Sequence, residues 1–177
     1  MGTCDCSNTQ ITNLDHLPSG LKELYCFNTP ITNLDHLPPG LKELYCSYTQ
    51  ITSLDHLPPG LQVLNCSGIQ ITNLDHLPSG LQDLNCYNTQ ITNLDHLPPS
   101  LKRLYCSNCP LTEEYKGKTL PEIHLINRKK SFLRGICLVR QILAASKIQK
   151  AWKTYWYETL DSDGCNRFCL RSIQDLR

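Results

Sequence analysis

A chain of 177 residues with a net charge of +1 is long enough for one domain and an appendage, and its overall charge singles out no polyanionic or polycationic partner. Its eleven cysteines would suit a disulfide-stapled secreted protein, but the opening MGTCDCSNTQ has neither a basic region nor an apolar core of a signal peptide. A reducing compartment, the cytoplasm, and a soluble chain are therefore expected; no apolar run approaches the length of a membrane span. Gly2 invites comparison with a myristoylation signal, yet Cys6 stands where Ser or Thr is needed.

The charge hides an asymmetry. Residues 1–111 hold four Lys/Arg against nine Asp/Glu, whereas residues 112–177 hold thirteen against seven. The acidic part is also the repetitive one. A twenty-residue unit runs through 1–20, 21–40, 41–60, 61–80 and 81–100, with a degenerate copy from Leu101 to about Leu120. Aliphatic residues at places 1, 4, 11, 14 and 17 and a Cys at place 6 form one apolar side that a single unit cannot bury. Stacked copies can, which makes a solenoid.

Within one unit the residue types prescribe the path. Glu43 to Cys46 should be a short strand with Leu44 and Cys46 inward, and successive strands should stack in parallel about 4.8 Å apart. Ile51, Leu54 and Leu57 return to the core, and Pro58-Pro59-Gly60 closes the turn. Twenty residues leave no room for a convex helix.

The pattern Leu21-x-x-Leu24-x-Cys26-x-x-Thr29-x-Ile31-x-x-Leu34-x-x-Leu37-Pro38 resembles the leucine-rich repeat. The phasing of Leu57-Pro58 with Leu61 and Leu64 is similar to the short class in secreted bacterial effectors. The recurring LYC and LDHLP, with a basic helix after the last unit, resemble repeat proteins of mimivirus-like giant DNA viruses. The resemblance implies a leucine-rich repeat solenoid over residues 1–120, with short parallel strands on a concave face and extended turns on the convex side. A basic, mainly helical cap or tail would follow over 121–177. It further implies a non-enzymatic, monomeric module that binds a protein partner, in a host cytoplasm if the chain is viral. Two departures from the family stand out. Cys replaces the usual aliphatic at place 6, giving a thin core there. Place 9, usually Asn, is Thr9, Thr29, Thr49, Ile69, Thr89 and Cys109, so the unit containing Ile69 should be less well hydrogen-bonded.

Strand side chains that do not point inward form a readable surface. Its candidates for partner binding are Tyr25, Phe27, Glu43, Tyr45, Tyr48, Asp83, Tyr87, Arg103 and Tyr105. Exposed Tyr supplies large contact area at low entropy cost. Cross-strand stacking alone would also explain a Tyr ladder, but Phe27 and Tyr87 interrupt a Ser column and are harder to explain as filler.

Other constellations fare worse. The column His16, His36, His56, His76 and His96 reads as a repeat consensus paired with an Asp column on an exposed edge, and it converges on no ion. Cys106-x-x-Cys109 looks like half a zinc site, with Cys165 and Cys169 as the other half, yet Cys106 continues the Cys column and Cys109 stands in the repeat's own place 9. No metal, no cofactor and no catalytic constellation is expected.

After Leu111 the period fades, and Leu120, Ile123 and Leu125 should cover the open end of the stack. Ser131 should start a helix to about Leu160, with one apolar face formed by Phe132, Ile136, Val139, Ile142, Ala145, Ile148, Trp152 and Tyr155. The opposite face should be basic, since 116–153 holds ten Lys/Arg against Glu122 alone. Ile148, Gln149, Trp152, Lys153 and Trp156 resemble the opening of a calmodulin-binding IQ motif, although Thr154 and Glu158 replace its Gly and second basic residue. The alternative function is thus a tether to calmodulin or an anionic membrane, with the repeats as scaffold; nucleic acid is a weaker option. Gly164 should break the helix, with Phe168, Leu170, Ile173 and Leu176 suited to a short second one.

Overall fold

The computed structural model describes residues 2–158, with side chains described as far as residue 151. Six three-residue strands stack in chain order into one parallel sheet: β1 (Thr3–Asp5), β2 (Glu23–Tyr25), β3 (Glu43–Tyr45), β4 (Val63–Asn65), β5 (Asp83–Asn85) and β6 (Arg103–Tyr105). Each residue pairs with the one twenty further on, as Leu24 with Leu44 and Leu44 with Leu64, so every column of the sequence repeat becomes a column in space. The expected solenoid is the observed one.

The core is the stacked aliphatic ladder. Leu24, Leu44 and Leu84 are wholly buried, as are Cys26, Cys46, Cys66 and Cys86 just beyond each strand. Burial in this apolar column pushes the Cys46 thiol up to about 12 and Cys66 well above its ordinary value, so these thiols are neutral packing groups. Each unit closes on its LPxxL turn, where the Pro carbonyl accepts the amide of the Leu three residues on: Pro38 from Leu41, Pro58 from Leu61 and Pro78 from Leu81. A second local device recurs between strand and turn. The side-chain oxygens of Asn33, Ser53, Asn73 and Asn93 accept the amides of Asp35, Asp55, Asp75 and Asp95, two residues on.

Place 9 behaves as its chemistry demands. The Thr29, Thr49 and Thr89 hydroxyls donate to the carbonyls of Cys26, Cys46 and Cys86 at 2.7, 2.8 and 2.9 Å. Ile69 has no hydroxyl to offer and is fully buried instead, exchanging that hydrogen bond for apolar contact. The His–Asp pairing runs between neighbouring coils, three histidines of the column reaching the Asp one coil back: His56 to Asp35 at 2.8 Å, His76 to Asp55 at 3.4 Å and His96 to Asp75 at 3.7 Å.

Three expectations for the segment after the repeats are corrected. The helix α1 (Leu120–Glu158) begins eleven residues before Ser131. Its start is fixed by Thr119 and Glu122: the Glu122 carboxylate accepts both the amide and the hydroxyl of Thr119, each at 2.8 Å, and Pro121 lies in the first turn, where no amide is needed. This arrangement belongs to a capping box, and it lay in the sequence as Thr119-Leu120-Pro121-Glu122, which the repeat phasing disguised as a last LP turn.

The chain divides into two compact units, Met1–Arg128 and Lys129–Arg177, so the first turns of α1 belong with the solenoid. There Ile123 is buried, Leu120 is half-buried, and Leu125 is 52% exposed, contrary to its expected role. Two residues along a helix turn about 200°, so a helix that buries Ile123 turns Leu125 outward and uses Ile126 and Asn127 in its stead. The largest covering group is Tyr115, only 1% exposed, whose hydroxyl meets Asp95 and the Asn127 side-chain oxygen; Asn127 in turn donates to the Leu94 carbonyl at 2.6 Å.

The third correction concerns the helix face. Beyond Arg128 the apolar residues of α1 wind around its axis instead of gathering on one side. Ile136, Val139, Ile142, Ala145 and Ile148 are separated by four successive steps of three. Each such step falls about 60° short of a full turn, so the row rotates about 240° along the helix. No single face is apolar and none is purely basic. Phe132, Leu138, Val139, Ile142 and Ile148 are all exposed. The expectations for Gly164, Cys165, Phe168, Cys169, Leu170, Ile173 and Leu176 lie outside the described residues, as do the side chains of Trp152, Lys153 and Trp156.

Candidate functional site: the solvent face of the sheet

The residues flanking each inward Leu, at places 3 and 5, define the outer face of the sheet, and the turn residues at places 7 and 8 border it. Because each strand has three residues in strict register, this face is a grid with one row per coil. Along it, three zones differ in chemistry.

At β1–β3 the columns are acidic and aromatic. Tyr25 and Tyr45 stack face to face, ring centroids 4.5 Å apart and planes 1° from parallel. Glu23 and Glu43 lie beside them in register, with Asp5 next to Tyr25 on β1. The Tyr45 hydroxyl donates to Glu43 at 2.8 Å; partial burial and this bond to an anion raise the phenol above its ordinary range. Phe27 lies at the border of the same zone and is partly exposed.

The middle zone is a hydroxyl and amide network. Ser47 and Ser67 are buried with their hydroxyls 3.1 Å apart, and each hydroxyl lies 2.9 Å from the Asn65 side-chain oxygen. Tyr48 lies at the border with 57% of its surface exposed and a left-handed backbone at φ 56°. Place 8 takes this conformation in every coil, with Asn8, Asn28, Asn88 and Asn108 in the Asn-tolerant left-handed region and Gly68 at φ 70°. Gly68 has a further duty: a Cβ there would come within 2.5 Å of the Tyr48 ring.

The last zone is self-neutralised. Arg103 forks onto Asp83, its Nε on one carboxylate oxygen and its Nη2 at 2.8 Å from the other. The bond from Arg103 holds the Asp83 carboxyl below its ordinary range. Tyr87 and Tyr105 are exposed here.

The candidate residues thus do not form one patch. Tyr25, Phe27, Glu43 and Tyr45 share the first zone, and Asp83, Tyr87, Arg103 and Tyr105 the last. In their column, Phe27 and Tyr87 are separated by the buried Ser47 and Ser67. Position in the repeat assigned each residue to a row, but nothing in the sequence marked Asp83 and Arg103 as satisfying each other. The signal was available: opposite charges twenty residues apart at one place of a stacked repeat must meet.

Among the described residues no group of three or more His, Cys, Asp or Glu is placed to hold an ion. Cys109 lies beside the preceding coil, its sulfur 3.1 Å from the Cys86 carbonyl and 3.3 Å from the Thr89 hydroxyl. It fills the Thr position with a thiol. The Cys86 thiol and the Thr89 hydroxyl lower its pKa. Among the described residues no helix is long and apolar enough to cross a membrane.

A parallel sheet with one strand per twenty residues, a Leu and a Cys inward in each middle coil, and turns in place of convex helices defines a leucine-rich repeat solenoid followed by a C-terminal helix. Comparison with known proteins agrees. The family model for Leucine Rich repeats (2 copies) matches residues 39–79. Among solved structures, YopM from Yersinia enterocolitica is 38% identical over 62% of this chain and 24% of its own, with a TM-score of 0.57. A Shigella effector LRR domain is 32% identical over 64% of this chain and 52% of its own, with a TM-score of 0.59. The chain therefore spans about a quarter of the first and half of the second. No curated protein matches it.

Proposed function

We propose that the chain is a non-enzymatic interaction module that holds a protein partner on the outer face of its sheet. Leucine-rich repeats suggest a protein–protein interaction module, and both structural neighbours carry them. The observation that supports this face is its exposed aromatic residues, Phe27, Tyr48, Tyr87 and Tyr105, on a rigid grid of backbone pairing. Such side chains contribute nothing to the ladder beneath them and lose little entropy on contact. The buried, high-pKa thiol column fits a reducing compartment such as the cytoplasm.

The test is capture from a cytosolic extract by the full chain and by a variant carrying Tyr45→Ala and Tyr87→Ala. The variant should retain its circular dichroism and lose its partners. Unchanged capture would sink the proposal, since these two positions sample both aromatic zones.

A further inference from the structure

Resting on that reading, we propose that the zone at β1–β3 receives an arginine side chain of an extended partner segment, its guanidinium stacked on an outer face of the Tyr25–Tyr45 pair and attracted by the Glu23 and Glu43 carboxylates beside the rings. Two observations meet there. The first is charge without an internal counterion. Asp83 and Arg103 neutralise each other further along the same column, yet among the described residues no Lys or Arg pairs with Asp5, Glu23 or Glu43. The nearest basic residues in sequence, Lys22 and Lys42, are engaged elsewhere, donating to the carbonyls of Gly40 and Gly60 at 3.3 and 3.2 Å. The carboxylates instead hold only neutral donors: the Thr3 hydroxyl on Glu23 and the Tyr45 hydroxyl on Glu43.

The second observation is the stack itself. Two parallel rings leave one face of each turned along the sheet, away from the partner ring. The negative face of a phenol ring attracts a cation, and flanking carboxylates strengthen that preference. Among cations, the planar guanidinium is the one that lies flat on a ring while its edge donates to carboxylates; an ammonium cannot do both. Glu23 and Glu43 are in register on adjacent strands, about 4.8 Å apart along the sheet, in the same two rows as the stacked rings, so both carboxylates add to the negative field that a guanidinium meets there. The same charge disfavours a phosphate-bearing partner, nucleic acid or lipid, on this face.

The test uses the full chain and labelled oligo-arginine, oligo-lysine and oligo-citrulline peptides of equal length, read by fluorescence anisotropy. Oligo-arginine should bind saturably, oligo-lysine several-fold more weakly, and oligo-citrulline not at all. Glu23→Gln with Glu43→Gln should weaken oligo-arginine by about tenfold or more, as should Tyr25→Leu with Tyr45→Leu. Asp15→Asn with Glu113→Gln removes as much charge away from the sheet face and should change little. Equal losses in that control would reduce the effect to diffuse acidity and overturn the proposal, as would no loss in the Glu variant or no preference for arginine over lysine. Should the Tyr variant fail to fold, the Glu variant, which keeps every side-chain shape, decides. If oligo-arginine fails to bind while Tyr45→Ala with Tyr87→Ala still abolishes capture, the arginine inference falls alone. If capture is also unchanged, the interaction reading falls with it.

Discussion

Thr49 and Ile69 occupy equivalent places in adjacent coils and solve one problem in two ways. Thr49 satisfies the Cys46 carbonyl with a hydroxyl, while Ile69 fills the same space with carbon. Thr49→Val is close to isosteric and deletes only the hydrogen bond, so it should cost about 1 kcal/mol, read as a lower urea midpoint with an unchanged slope. At Gly68 both backbone and space are committed, with φ at 70° and the Tyr48 ring where a Cβ would stand. Gly68→Ala should destabilise by about 1 kcal/mol or more and change the Tyr48 environment, visible as a shifted tyrosine emission or ring resonance. A third residue responds to pH. Because Arg103 depresses the folded-state pKa of Asp83, the pair stabilises the fold above the ordinary carboxylate range and loses that contribution as pH falls through the depressed value. Asp83→Asn should flatten the acid limb of stability against pH and leave the neutral limb parallel to the parent; an unchanged acid limb would show that the pair contributes nothing.

At the scale of elements, the period carried nearly all the information for the strands and much less for the helix. A twenty-residue repeat places Leu24, Leu44, Leu64 and Leu84 in one column by counting alone, and parallel register follows once the copies stack. Counting placed the aromatic candidates in rows for the same reason, Tyr25, Tyr45 and Tyr105 beside the leucines of that column and Phe27, Tyr48 and Tyr87 in the turns that follow. The division of the sheet face into three zones was not, because it depends on which neighbours satisfy one another across coils, as Asp83 with Arg103 and Ser47 with Ser67. The helix start was missed because Leu120-Pro121 imitates the repeat's own turn, while the decisive residue, Glu122, bonds backward to Thr119. That assignment is testable. Glu122→Ala should speed amide exchange at Thr119 and fray the first turn of α1. In the parent, the same loss of protection should come on as pH falls through the depressed carboxyl pKa of Glu122.

The whole solenoid is a one-dimensional object in which each coil is stabilised by its neighbours. Its two ends are not equivalent. At the C-terminal end of the stack Tyr115 and Ile123 are almost wholly buried, and Tyr115 is tied to Asp95 and Asn127. In the first coil, Cys4 takes the inward place held by Leu in the other coils, and Cys4, Cys6, Ile11 and Leu17 are only half-buried. A thiol supplies less apolar area than a Leu side chain, so this coil contributes less burial to the stack. Opening should therefore start at β1 and run inward, and amide exchange should rank the strands accordingly, with β1 least protected and β3 and β4 most. Two substitutions sharpen the expectation. Cys4→Leu restores the repeat's own residue and should raise protection at β1 and β2 first, provided the half-open site accepts the larger side chain. Leu44→Ala removes an interior wall shared by two coils, should cost about 2 to 5 kcal/mol, and should lower protection on both sides of β3 at once. If β1 instead exchanges as slowly as β4 in the parent chain, the stack unfolds as a single cooperative block, and the weakness of its first coil has no energetic consequence.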